Sequence, residues 1–138
     1  MVNTIDMQDM RHLNLFSKIT QIGTRFCFTY NETIFFCVPK QLVSRAVGED
    51  GKNVKRMSEI IRKKIKIIPQ PRGIEHAREF IQIVVSPVTF KDLEIKDEEI
   101  ILTAGSQSKA ALLGRNKRRL LEMQKIVKGF FGKGFRII

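Results

Sequence analysis

The chain has 138 residues, with 25 Lys and Arg against 14 Asp and Glu, giving a formal net charge of +11 and a pI near 10.1. That length holds one ordinary domain or two very small ones, and 43% hydrophobic with 28% charged residues fits a folded soluble protein rather than a disordered basic tail. No apolar run approaches the roughly 20 residues of a membrane span. The polar, acidic segment Met1–Met10 excludes a signal peptide, and Cys27, Cys37, His12 and His76 lack zinc-motif spacing, which argues against a zinc module or a disulfide-rich secreted scaffold. These figures point to a small cytoplasmic protein with a polyanionic partner.

Residues 4–19 carry Ile5, Leu13, Phe16 and Ile19 among polar residues and predict an opening helix, in which His12 is an ordinary helix residue. Residues 25–30 and 33–38 are aromatic and β-branched, so two strands are expected around a turn at Asn31-Glu32. A three-residue loop there puts Phe26, Phe28, Ile34, Phe36 and Val38 on one buried face and makes Cys27 and Cys37 cross-strand neighbours on the other, as two reduced thiols. Pro39 then opens a short helix through Val47. After Gly48-Glu49-Asp50-Gly51 comes a basic helix whose Val54, Met57, Ile60 and Ile61 form an apolar stripe, followed by a β-branched run at Ile65, Ile67 and Ile68.

Pro69-Gln70-Pro71-Arg72-Gly73 reads as a linker. Beyond it a helix is expected over Glu75–Val84, strands near Val88–Ile95 and Glu99–Thr103, and a short helix near Ser106–Leu113. Gly114 precedes a second basic helix and a final strand at Ile137 and Ile138. Aligning Gly48 with Gly114, 66 positions on, sets Leu120, Met123, Ile126 and Val127 opposite the first stripe. Two halves, 1–70 and 71–138, thus share the order helix, strand, strand, helix, glycine loop, helix, strand. The expected class is α+β, with a three-stranded sheet packed against helices in each half.

The charge follows the same duplication. Lys52–Lys66 holds seven basic residues and one acid, Arg115–Arg136 eight and one, and the remainder of the chain sums to −2. Such concentration suits a nucleic-acid surface better than a solvated helix face. Asp92, Glu94, Asp97, Glu98 and Glu99 form an acidic patch that reads as the decoration of a hairpin turn, with contact to a basic partner as the alternative.

In Gly48-Glu49-Asp50-Gly51, followed by Lys52-Asn53-Val54-Lys55-Arg56, glycines at both ends of a tight turn let backbone approach a ligand closely. The following helix directs its free N–H groups and positive dipole end at the same place. That is the mechanism by which the GXXG loop of a KH domain grips the phosphates of a single strand. Val47-Gly-Glu-Asp-Gly-Lys-Asn-Val-Lys-Arg56, with Ile65-Lys-Ile-Ile68 after it, resembles the A-I-G-x-x-G-x-N-V-K-R core of KH domains in the NusA family. Arg11-His-Leu-Asn-Leu-Phe16 and Phe80-Ile-Gln-Ile-Val-Val-Ser-Pro87 resemble segments of the archaeal NusA-like proteins, which consist of little more than two KH domains.

This resemblance covers nearly the whole chain. It implies two tandem type II KH domains, each α-β-β-α-α-β, and RNA binding with a role in transcription elongation, termination or antitermination. The residues it assigns to RNA are Gly48, Glu49, Asp50, Gly51, Lys52, Asn53, Lys55 and Arg56 in the first half. In the second they are Gly114, Arg115, Asn116, Lys117 and Arg118. Two departures stand out: Glu49 and Asp50 are acidic where the family often carries a basic residue, and Gly114-Arg115-Asn116-Lys117 lacks the second glycine. The expected partners are single-stranded RNA and a nearby RNA polymerase. No cofactor, metal or membrane is expected, and the chain is expected to be a monomer.

No Walker A, H-E-x-x-H or G-x-S-x-G motif occurs and a catalytic role for His12 or His76 has no support, so no enzyme is expected. Two other readings stay open: a KH-type RNA binder in ribosome assembly or RNA processing, and a protein-interaction module whose degenerate loops have lost RNA.

Overall fold

A computed structural model describes residues 7–138; residues 1–6, with Ile5 and most of the polar N-terminal segment, lie outside the described residues. The described chain is α+β, with six helices and two three-stranded sheets, and divides into two compact units between Gln70 and Pro71.

In the first unit α1 (Met7–Thr20) precedes β1 (Phe26–Tyr30) and β2 (Thr33–Val38). A short turn of 3-10 helix, Lys40–Leu42, leads into α2 (Val43–Val47), and a second, Glu49–Gly51, into α3 (Lys52–Ile61) and β3 (Lys64–Pro69). The helix expected to begin at Pro39 therefore splits, with Pro39 in extended backbone (φ −52°, ψ 142°) before the 3-10 turn. The central strand is β2, antiparallel to β1 and parallel to β3. His12, Phe16 and Thr20 recur every fourth residue on the buried stripe of α1. From that stripe Phe16 stacks on Phe36 with ring centroids 4.6 Å apart. Ile34, Phe36 and Val38 of β2 and Ile65 and Ile67 of β3 complete the core with Ala46 of α2 and Met57 of α3. Burial of each large side chain in this cluster stabilises the unit by about 1.5–3 kcal/mol.

The hairpin register departs from expectation. Tyr30 pairs with Thr33 and Cys27 with Phe36, so the loop is the two residues Asn31 and Glu32, with φ of 50° and 62°. Positive φ at both positions gives the turn whose twist matches that of the flanking strands. Phe26 and Phe28 consequently share a face with Phe35 and Cys37 rather than with Phe36, and Phe28 stacks on Phe35 at 5.0 Å. Cys27 and Cys37 lie on opposite faces, both as free thiols. A second departure is in α3, where Met57 is fully buried but Ile60 is 55% exposed. The neighbouring Ile61, the last residue of α3 before Arg62 caps it in left-handed conformation, packs against the core instead, so the apolar stripe runs through Met57 and Ile61 and leaves Ile60 on the outer side.

The second unit repeats the plan. A 3-10 turn, Ile74–His76, opens α4 (Ala77–Val85), and then come β4 (Asp92–Ile95), β5 (Glu99–Thr103), α5 (Ser106–Leu113), a turn at Arg115–Lys117, α6 (Arg118–Phe131) and β6 (Gly134–Ile137). Its central strand β5 is antiparallel to β4 and parallel to β6. The strand expected from Val88 starts only at Asp92. Thr33 of β2 pairs with Lys64, and Glu99 of β5 with Gly134. The 66-residue offset thus holds from the central strand through the loop, and α6 then adds four residues before the last strand. The acidic patch is largely matched by cations: Arg78–Asp92 at 3.3 Å, Lys96–Glu94 at 3.9 Å and Arg136–Glu99 at 3.1 Å, all exposed pairs of small energetic weight.

Candidate nucleic-acid interface

The two glycine loops are built alike. In the first, the Gly48 N–H donates to Ser44 O at 3.1 Å, ending α2, and the Gly51 N–H donates to Gly48 O at 3.0 Å, closing the turn. In the second, the Gly114 N–H donates to Ala110 O at 3.0 Å and the Lys117 N–H to Gly114 O at 3.1 Å, the same bonds 66 residues on. Gly48 sits at φ 84°, ψ 166° and Gly114 at φ 74°, ψ 172°. That region is open essentially to glycine alone.

The remaining torsions agree as closely. Asp50 (54°, 26°) matches Asn116 (55°, 29°), and Gly51 (72°, 19°) matches Lys117 (59°, 26°). Lys117 therefore holds the left-handed conformation of the missing second glycine, at a cost of about 1–2 kcal/mol for a residue with a Cβ. The absent glycine changes the side chain at that point and leaves the backbone path intact.

Each loop is braced from behind. A Cβ on Gly48 would lie 2.9 Å from Asn53 Nδ2, and that amide donates to Ala46 O at 3.1 Å. At the equivalent position Arg119 Nη1 donates to Ala111 O at 3.3 Å, and a Cβ on Gly114 would lie 2.9 Å from Arg119 Cγ. Asn53, expected to contact RNA, thus spends its side chain on the preceding helix. Arg119 was not singled out by sequence, because among consecutive arginines nothing distinguishes a brace from a surface cation.

The front of each loop is open. Glu49 and Asp50 are exposed at the first tip, and a Cβ added to Gly51 would meet nothing within 4 Å. Lys52, Lys55 and Arg56 lie at i, i+3 and i+4 on α3, all exposed, forming a cationic face beside the tip. Arg115, Asn116, Lys117 and Arg118 are exposed at the second tip. Among the described residues, no ion pair engages Lys52, Lys55, Arg56, Arg115 or Lys117. No side chain caps the first turn of α3 or of α6, so both helix N-termini present their positive dipole end toward the loop.

Other basic residues of the two charged stretches serve the fold. Lys63 pairs with Glu32 at 3.5 Å, Lys133 Nζ donates to the carbonyls of Lys96 (2.7 Å) and Asp97 (2.6 Å), and Arg136 pairs with Glu99. The exposed cations nearest the glycine turns, Lys52, Lys55, Arg56, Arg115 and Lys117, stay outside these fold-supporting contacts. Chemically, each loop offers close backbone approach at its first glycine, a helix dipole and exposed cations.

No family model matches the chain. Over 92 residues it is 27% identical to a protein of Methanococcus vannielii described as "Probable transcription termination protein NusA"; the match covers 67% of this chain and 51% of that protein. The chain spans about half the length of that curated relative, and the match supports a NusA-like relation. A solved crystal structure, that of APE1850, aligns with 97% of this chain and 99% of its own, with a TM-score of 0.66 at 18% sequence identity, a likeness of fold alone. Among the described residues no helix is long and apolar enough to cross a membrane.

Proposed function

We propose that the chain is an RNA-binding transcription factor of the NusA family, built from two type II KH domains that correspond to residues 1–70 and 71–138. The observation that carries this reading is the recurrence of one loop backbone, Gly48–Gly51 and Gly114–Lys117, between two helices of each unit. The order helix, strand, strand, helix, loop, helix, strand around a mixed sheet also fits the type II arrangement implied by the sequence resemblance.

The action is non-catalytic. Each turn holds a phosphate of single-stranded nascent RNA against backbone that carries no Cβ at its first position, and the helix dipole and neighbouring cations supply the attraction. The first loop places Glu49 and Asp50 at its tip and so depends on Lys52, Lys55 and Arg56 on α3 to outweigh them. The second carries its cations in the turn itself, at Arg115 and Lys117. RNA polymerase is the expected neighbour in the cell, and the effect is on elongation, termination or antitermination.

The test is the salt dependence of binding to a single-stranded RNA oligonucleotide. Log affinity should fall linearly with log salt, by about 0.7 per phosphate neutralised, and Gly51→Asp and Lys117→Glu should each lower both affinity and slope. Binding without salt dependence, or slopes untouched in both variants, would remove the loops from the interface.

A further inference from the structure

We propose that Asp9, His12 and Cys27 form a binding site for a divalent late transition metal of the zinc class. Sequence spacing gives no hint of it, because the residues come from two elements. Asp9 and His12 stand three apart on α1 and so share one side of that helix. Cys27 lies on β1 opposite Phe36, on the sheet face against which Phe16 of the same helix packs. The fold thus brings a carboxylate oxygen, an imidazole nitrogen and a thiol sulfur within 4.8 Å of one another.

The donor set selects the metal. Thiolate and imidazole favour zinc and its neighbours over magnesium or calcium, which take all-oxygen shells. Bonds of about 2.0–2.3 Å in a tetrahedral shell put ligand atoms about 3.3–3.8 Å apart, so the three atoms, now within 4.8 Å, need close by only about 1 Å. His12 is 8% exposed, whereas Asp9 and Cys27 are partly exposed, leaving the shell one open side for water as fourth ligand. As the sulfur–metal bond forms, the Cys27 thiol proton leaves to solvent. A bound ion ties α1 to the β1–β2 hairpin and stabilises the folded unit in proportion to its occupancy.

The experiment titrates the chelator-treated full chain with Co2+ and then Zn2+. The wild type should take up about one equivalent, show thiolate-to-cobalt charge-transfer absorption that Zn2+ displaces, and gain in Tm on loading. Cys27→Ser should lose that absorption, and Asp9→Asn should weaken Zn2+ binding by about tenfold or more. His76→Gln, which alters the other histidine, should leave uptake unchanged. Circular dichroism establishes that each variant is folded, and should Cys27→Ser fail to fold, Asp9→Asn decides. Absence of stoichiometric uptake by the wild type, or uptake that survives both Cys27→Ser and Asp9→Asn, overturns the proposal.

Discussion

The side-chain amide of Asn53 donates to the carbonyl of Ala46 at 3.1 Å, and it fills the space that a Cβ on Gly48 would enter. One residue therefore joins the end of α2 to the start of α3 and makes glycine obligatory between them. Arg119 does the same for Ala111 and Gly114. The loop geometry belongs to the framework behind it, and the outer side chains are free to vary.

Gly48→Ala and Gly114→Ala should each destabilise their unit by about 1–3 kcal/mol, from the φ/ψ region alone, before the contact at 2.9 Å is counted. Gly51→Ala, whose Cβ meets nothing within 4 Å, should cost only about 1 kcal/mol. Urea unfolding midpoints compare the three, and equal losses at Gly48 and Gly51 would contradict the greater backbone strain and crowding at Gly48.

Asn53→Ala removes one hydrogen bond, worth about 1 kcal/mol. Because that side chain points back to Ala46, RNA affinity should drop while the salt slope stays that of the wild type. A slope lowered by about 0.7 would instead return Asn53 to direct phosphate contact.

Lys117→Gly tests the substitute for the second glycine. Relief of the left-handed strain is offset by a freer unfolded chain, so stability should move by less than about 1 kcal/mol. The salt slope for RNA should fall by about 0.7, since a cation at the tip is gone.

Phe16→Ala should cost about 3–5 kcal/mol, because the ring is fully buried and stacked on Phe36 at 4.6 Å. Leu121→Ala, at a residue 60% exposed, should change stability by less than about 0.5 kcal/mol. A loss at Phe16 as small as that expected for Leu121 would argue against the core assigned to the first unit.

Burial, and secondarily the nearby Cys27 thiol, push the Cys37 thiol above its ordinary value of 9.0. The folded state keeps the proton where the unfolded chain releases it, so this contribution is complete below pH 9.0 and declines as pH rises beyond it. The decline is about 1.4 kcal/mol per pH unit for one proton, and Cys37→Val should flatten it in unfolding curves taken across that range. Equal slopes in wild type and variant would show that Cys37 is not the group responsible.

What the sequence makes legible is what local chemistry determines. Gly48 and Gly114, the stripes through Met57 and Met123 and the β-branched runs fix element order and the loop positions, because each signal lies within a few residues of what it specifies. The hairpin register is different: Glu32 is not a residue that favours positive φ, so nothing in Asn31-Glu32 announces a two-residue turn, and a one-residue error moves Phe26 and Phe28 to the other face. Lys117 in left-handed conformation is equally silent, since the framework around Gly114 and Arg119 imposes it. The meeting of Asp9 and His12 with Cys27 depends on how α1 crosses the sheet, a tertiary fact that residue spacing does not encode.

The parallel pairing of β3 with β2 has a consequence during synthesis. A nascent chain that has emerged only as far as Ile61 holds Thr33–Val38 with one backbone edge bare, and Ile34-Phe35-Phe36-Cys37-Val38 is an apolar template for strands of other chains. The glycine turn lies inside the stretch that must be crossed before Lys64–Pro69 covers that edge. The loop therefore precedes the strand that closes the sheet, and truncation within the crossover should leave the apolar edge of β2 uncovered.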